Sequence, residues 1–173
     1  MKFIVLQDNP EYYNIILPML YQEWKEKYNK TNIYNVNDLH EFFKNRKLSK
    51  TWLLINKKKQ FIGTFTITKK NGKLFLEDGF VIPSFRGKNI GNYILDASIK
   101  IAGTMSDTAY LYTEKKLLKW YQKNGFVIIE TKNDNLYLLK RYIIKGDINV
   151  AIQCYILYGI IFIILIMLAV YYI

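Results

Sequence analysis

The stretch Val81-Ile82-Pro83-Ser84-Phe85-Arg86-Gly87-Lys88-Asn89-Ile90-Gly91-Asn92-Tyr93-Ile94-Leu95 decides how the chain is read. Upstream, Leu74 to Ile82 is an apolar run whose residues suit a buried strand. Downstream, Ile90, Ile94, Leu95, Ala97, Ile101 and Ala102 recur at helical spacing and stop at Gly103. A short, basic, glycine-containing loop lies between them. Backbone N–H groups at such a junction have no partner within the helix, and the helix dipole adds partial positive charge there. The loop is therefore built to hold phosphate, with Arg86 and Lys88 adding attraction at its mouth. The plainer alternative is a basic left-handed turn that only caps a helix.

The nucleotide loop G-x-x-x-x-G-K-[ST] and the dinucleotide fingerprint G-x-G-x-x-G are both absent. The stretch resembles the acyl-CoA signature of the GNAT superfamily of N-acetyltransferases, V-x-P-x-[YF]-R-G-x-G-x-G followed by an apolar helix. One position departs: the middle glycine is Asn89, the next-best residue at positive φ. The resemblance implies that acetyl-CoA is the cosubstrate. Its diphosphate would lie on Arg86, Gly87, Lys88, Asn89, Ile90, Gly91 and Asn92. The backbone of Phe80, Val81 and Ile82 would pair with the pantetheine amides.

A second segment carries the same resemblance. Lys119-Trp120-Tyr121-Gln122-Lys123-Asn124-Gly125-Phe126 is similar to the family's [FL]-Y-x-x-x-G-F, whose tyrosine protonates the departing thiolate. Tyr121 is thereby the candidate general acid, against the alternative of a buried aromatic among fifteen tyrosines. Upstream the match is looser: Glu114 and Leu117 stand where the family often has Asn and Ala. An ionised carboxylate cannot donate a hydrogen bond to the pantetheine arm. The amine must also lose a proton. Glu77, placed by strand alternation on the face of Val81, is the first candidate base and Asp78 the second. A carboxylate among apolar residues is expected to have a raised pKa; a carboxylate bonded to a nearby lysine is the alternative. Gly79 would admit a bulge.

The rest of the chain follows in order. Lys2 to Leu6 reads as a strand, and Asp8-Asn9-Pro10-Glu11 announces a helix that turns Ile15, Ile16, Met19, Leu20 and Trp24 inward. Pro18 predicts a kink, and Lys25 to Asn35 reads as loop. A second helix, capped by Asn37 or Asp38, gathers Leu39, Phe42, Phe43 and Leu48. Thr51–Ile55 and Gln60–Thr68 form a hairpin, and Asn71-Gly72 signals the next one. Thr108–Thr113, Phe126–Thr131 and Leu136–Lys140 are further strands, with a short helix over 114–124. The order β-α-α-β-β-β-α-β-α-β-β predicts an α+β (mixed α/β) fold. In the GNAT-like form it is a mostly antiparallel central sheet with flanking helices over residues 1–141.

Beyond a tether at 142–149 the composition changes. Residues 150–173 are almost wholly apolar, and no charge occurs after Asp147. As a helix these 24 residues exceed the roughly 30 Å hydrocarbon core of a bilayer, and a domain this small cannot wrap a helix apolar on every face. A single C-terminal transmembrane helix is expected. Lys140, Arg141 and Lys145 precede it, so the N-terminal domain is expected on the cytoplasmic side, as in tail-anchored proteins. Nothing near Met1 has the build of a signal peptide.

The formal charge of +11 fits anionic lipid beneath an anchor and an anionic cosubstrate. Nucleic acid is a poorer partner, because no recognised motif or stacking platform accompanies the charge. Cys154 is the single cysteine and His40 the single histidine, so neither a disulfide framework nor a metal cluster is expected. Two functions remain. One is a membrane-anchored N-acetyltransferase acting on a primary amine, whether a protein lysine, an N-terminus or a small molecule. Its positive field would disfavour polycationic acceptors unless Glu23, Glu26 and Glu41 line the pocket. The other, favoured by Asn89 and Glu114, is a catalytically weak or inactive CoA-binding module serving as a membrane adaptor.

Overall fold

Two consecutive hairpins set the sheet. Strands β2 (Ser49–Ile55), β3 (Phe61–Lys70) and β4 (Lys73–Val81) pair antiparallel in chain order, and β1 (Lys2–Val5) adds to β2. The β3–β4 turn is Asn71-Gly72, at φ 48° and 74°. Two left-handed residues are what a two-residue turn needs to match the twist of its strands. Strand β5 (Thr108–Glu114) then runs parallel to β4, β7 (Leu136–Tyr142) pairs antiparallel with β5, and β6 (Val127–Asn133) forms the outer edge. The order β1-β2-β3-β4-β5-β7-β6 is the mixed, mostly antiparallel sheet expected from the sequence. This computed structural model describes residues 1–143; the expected membrane span, 150–173, and most of its tether lie outside them. Among the described residues no helix is long and apolar enough to cross a membrane.

Four helices flank the sheet: α1 (Tyr13–Asn29), α2 (Val36–Asn45), α3 (Ile90–Gly103) and α4 (Lys115–Lys123). The first differs from expectation. Two short 3-10 turns, Leu6–Asp8 and Pro10–Tyr12, precede it, and the helix passes through Pro18 without breaking. Pro18 and Asn14 are both exposed, so the carbonyl that loses its partner faces water. The irregularity sits at Trp24 instead (φ −125°, ψ 24°), and the helix continues to Asn29. Its buried stripe is Tyr13, Ile16, Leu17, Leu20 and Tyr28, while Ile15 and Met19 face out. The α2 cap is Asn35, whose side-chain oxygen accepts the Asp38 N–H at 2.9 Å. Only Leu39 and Phe43 of its expected apolar face are buried; Phe42 and Leu48 are exposed.

The sheet separates two cores. Under α3 and α4 lie Leu54, Ile62, Ile67, Ile94, Leu111 and Leu139; under α1 and α2 lie Ile16, Leu20, Leu39, Leu53, Phe61 and Phe80. The closest approach is at Gly63. A Cβ there would stand 2.5 Å from the Phe80 carbonyl oxygen and 2.6 Å from Ile94 Cδ1. Only glycine lets α3 sit this low over β3 and β4, and that position sets the height of the loop leading into α3.

Candidate active site

Strand β4 ends in a single 3-10 turn, Pro83–Phe85, and α3 begins at Ile90. The turn closes with Phe85 N–H to the Ile82 carbonyl and Arg86 N–H to that of Pro83; the helix ladder starts with Tyr93 N–H to Asn89. Between them, none of the N–H groups from Gly87 to Asn92 makes a close, well-aligned backbone hydrogen bond among the described residues. Gly87 (φ 76°) and Asn89 (φ 61°) are both left-handed, which turns successive N–H groups outward into an anion-binding concavity. Asn89 thus holds the conformation expected of the glycine it replaces. Its side-chain oxygen accepts from Asn92 Nδ2 at 2.6 Å. Asn92 Oδ1 in turn accepts Trp120 Nε1–H at 2.9 Å. This relay couples the two motifs, 28 residues apart.

The loop's basic side chains are engaged. Arg86 Nε donates to the Val81 carbonyl at 2.9 Å, its guanidinium pairs with Glu23 of α1 at 2.9 Å, and it lies over Phe80. Lys88 donates to the Ser84 carbonyl at 3.0 Å. Arg86 thus ties loop to helix, and its side chain is engaged within the fold. The strand end is partly used as well, because Ile82 N–H donates to the Ile62 carbonyl. Of the positions Phe80, Val81 and Ile82 expected to meet the pantetheine arm, the Ile82 N–H and the Val81 carbonyl already have partners. Strands β4 and β5 register only at Phe75 and Tyr110.

Tyr121 packs into the α3–α4 core, edge-on to Trp120 and Phe126 with ring centroids 4.7 and 5.6 Å away. Its hydroxyl has no hydrogen-bond partner among the described residues, and burial pushes its pKa up to about 12. Helix α4 ends at Gly125 (φ 79°), where Phe126 N–H bonds back to the Tyr121 carbonyl. Arg141 secures that end by donating to the Asn124 carbonyl. Glu114 caps nothing; it pairs with Lys116 at 2.9 Å.

Glu77 and Asp78 are arranged otherwise than expected. A bulge does form, with Thr64 opposite Phe80 and Thr66 opposite Glu77, but the left-handed residue is Asp78 (φ 50°) rather than Gly79. The extra residue reverses the alternation. Val81 packs on the α3 side while Phe80 belongs to the α1–α2 core, so Glu77 lies on the face opposite Val81. Arg46, just beyond α2, donates to Asp78 Oδ2 at 2.5 Å, to Glu77 Oε2 at 2.5 Å and to Thr68 Oγ1 at 3.0 Å. Lys70 holds the other Glu77 oxygen at 2.5 Å and Thr68 donates at 2.8 Å. Burial acts to raise the Glu77 pKa, but the hydrogen bonds from Lys70 and Thr68 and the charges of Lys70 and Arg46 outweigh it, leaving it lowered. The expected raised value is thereby corrected.

Three participants carried no sequence signal strong enough to single them out: Arg46, the Asn92–Trp120 bridge, and Tyr28. The Tyr28 hydroxyl is buried without a partner. Its pKa is raised by burial and by Asp78, against the opposing charge of Arg46. One signal did exist: arginine occurs three times among 25 basic residues, at positions 46, 86 and 141, and each makes a fixed contact. Among the described residues no group of His, Cys, Asp and Glu could hold a metal. His40 lies edge-on to Tyr13 at 4.9 Å, away from both motifs.

A family model described as the acetyltransferase (GNAT) family matches residues 10–137. The chain belongs to the GNAT family. It is, by that membership, an acyltransferase. The GNAT fold is shared with an acetyltransferase from Staphylococcus aureus Mu50 (22% identity, 83% of this chain and 99% of that one, TM-score 0.61). It is shared too with an aminoglycoside 6'-N-acetyltransferase solved with coenzyme A (17%, 84% and 99%, 0.68). A chimeric spermidine N-acetyltransferase from Vibrio cholerae is similar again (14%, 82% and 96%, 0.64). No curated protein sequence gives a significant match.

Proposed function

We propose that the protein is a membrane-anchored N-acetyltransferase that moves an acetyl group from acetyl-CoA to a primary amine. The observation that carries the reading is the row of N–H groups from Gly87 to Asn92 that make no close backbone hydrogen bond among the described residues, tied through Asn92 and Trp120 to the helix bearing Tyr121. Such a row at a helix start suits a diphosphate, and a structural neighbour of this fold was solved with coenzyme A. Acceptors carrying an amine fit the neighbours named for aminoglycosides and spermidine.

In the reaction the amine nitrogen bonds to the acetyl carbon and the carbon–sulfur bond breaks. One amine proton leaves, and the sulfur gains one. Tyr121, with a pKa near 12, keeps its proton at neutral pH. Complete transfer to a thiolate of ordinary pKa, about 8.5, is uphill. Tyr121 therefore serves as a hydrogen-bond donor to the leaving sulfur; if the sulfur takes that proton, the phenol regains one from water, which has received the amine's, so that one proton leaves the nitrogen and one reaches the sulfur. The amine's proton leaves to water, because Arg46 and Lys70 hold the oxygens of Glu77 and Asp78 in ion pairs. Glu23 and Glu41 are likewise paired, with Arg86 and Lys44, so the field at the acceptor side favours weakly charged amines.

The anchor rests on residues 150–173, uncharged and almost wholly apolar, and preceded by Lys140, Arg141 and Lys145. It places the domain on the cytoplasmic face and limits acceptors to those near the bilayer.

A second reading, a CoA-binding adaptor with little turnover, is favoured by one observation: both candidate bases are held in ion pairs by Arg46. Calorimetry of the full chain in detergent with acetyl-CoA, followed by thiol release for wild type and Tyr121→Phe, separates them. The transferase requires binding and thiol release that depends on Tyr121. Binding without release supports the adaptor, and absence of binding defeats both.

A further inference from the structure

Helices α3 and α4 pack on one side of the sheet. On the other side the α1–α2 core takes in Leu53, Ile55, Phe61 and Phe80 but no residue of β5, β6 or β7. The face of those strands is left without a helix. It consists of a small apolar cluster, Phe75, Tyr110 and Leu138, ringed by tyrosines and lysines. Tyr112 and Tyr142 are 46% and 67% exposed. Lys73 and Lys140 lie over the Tyr110 ring at 5.2 and 5.9 Å, and Lys140 donates to the Tyr142 hydroxyl at 3.0 Å. On the edge strand, Val127 is 53% exposed. The acidic groups on this side are already paired: Glu130 with Lys132, and Glu77 with Lys70 and Arg46.

We infer that this face lies on the surface of an anionic bilayer. Three features select lipid as its occupant. Aromatic rings with polar tips beside lysines are the composition of a membrane–water interface. The unbalanced charges on the face are lysines, which complement anionic headgroups. The chain also leaves from this place. Tyr142 closes β7 on the same face, and Val150 opens the apolar segment eight residues later, a reach of at most about 28 Å even if extended. The inference rests on the anchor reading given above and adds which side of the domain meets lipid. A surface held this way turns the opposite helices, α3 and α4, toward the cytoplasm.

The test uses the full chain with Cys154→Ser, carrying one fluorescent label at Tyr112→Cys or, as the control on the exposed side of α3, at Lys100→Cys. Each is reconstituted into phosphatidylcholine vesicles with or without phosphatidylserine, with a nitroxide quencher on the lipid headgroups. An alkaline wash reports on the anchor independently. Retention after the wash, with the Tyr112 label quenched about twofold in anionic vesicles and the Lys100 label unchanged, supports the proposal. Lys73→Gln with Lys140→Gln should then reduce that quenching. Retention with equal quenching at both labels overturns the proposal and leaves the anchor standing. Loss in the wash overturns both. A Tyr112 label shielded in a particle of doubled mass by light scattering assigns the face to a second copy instead, and likewise overturns it.

Discussion

The two sides of strand β4 treat their polar groups in opposite ways. At the α3 end, the backbone N–H groups from Gly87 to Asn92 make no close backbone hydrogen bond among the described residues. On the α1–α2 side, two carboxylates have more partners than they need: Arg46 bridges both, and Lys70 and Thr68 complete Glu77. The first region is left incomplete by the fold, so a ligand can complete it. The second is closed upon itself, and it holds α2 to the bulge rather than awaiting a proton. Unpaired donors at a helix start are tolerated in water because water solvates them; half-buried carboxylates without cations are not. That asymmetry is what the proposed reading rests on: an open loop on one side and a closed network on the other.

The comparison can be broken at several points. The largest effect is expected at Tyr121→Phe, which should lower the turnover number by about 10²–10⁴ while thermal unfolding and acetyl-CoA affinity stay near wild type. A loss confined to affinity would remove Tyr121 from the chemistry. Next is Arg46→Ala. It leaves Glu77 and Asp78 adjacent and short of cations, so urea unfolding should report a loss of about 3–5 kcal/mol. A near-neutral result would mean that the network is open and the carboxylates are available as bases. Gly63→Ala should cost about 1–3 kcal/mol by pushing α3 from β4, and it should weaken acetyl-CoA binding along with stability.

Smaller effects sharpen the same contrast. A double-mutant cycle of Asn92→Ala and Trp120→Phe should give a coupling of about 0.5–1.5 kcal/mol in acetyl-CoA affinity, since the bond they share orients the loop. The smallest effect is in pH. Glu77 is lowered in the folded state, so its contribution is present above the unfolded value of about 4.3 and is lost as pH falls through the folded one. Glu77→Gln should therefore flatten the acid side of the stability curve below about pH 4. An unchanged acid limb would assign that limb to other carboxylates.

Much of this was legible in the chain before any coordinates. The Asn71-Gly72 turn, the strand–loop–helix of residues 74–103 and the Gly125 stop each depend on neighbours within a few positions, and each is found where local chemistry places it. The helix register of α1 was not legible. Tyr13, Ile15, Ile16, Leu17, Met19 and Leu20 offer more apolar residues than one face can hold, and packing chose among them. Nor was Pro18 decisive, since an exposed carbonyl needs no helical partner.

What the sequence determined by itself is the order of elements, the phosphate-ready loop with Asn89 in the left-handed place of a glycine, and the abrupt change to an uncharged apolar segment. These are properties of contiguous residues, where backbone preference and hydropathy act. Only the tertiary structure decided that one bulge at Asp78 turns Glu77 away from Val81. It alone decided that Arg46, 31 and 32 residues upstream, claims both carboxylates. Pairings at that separation are fixed by which faces the sheet brings together, and a single added residue in a strand exchanges those faces.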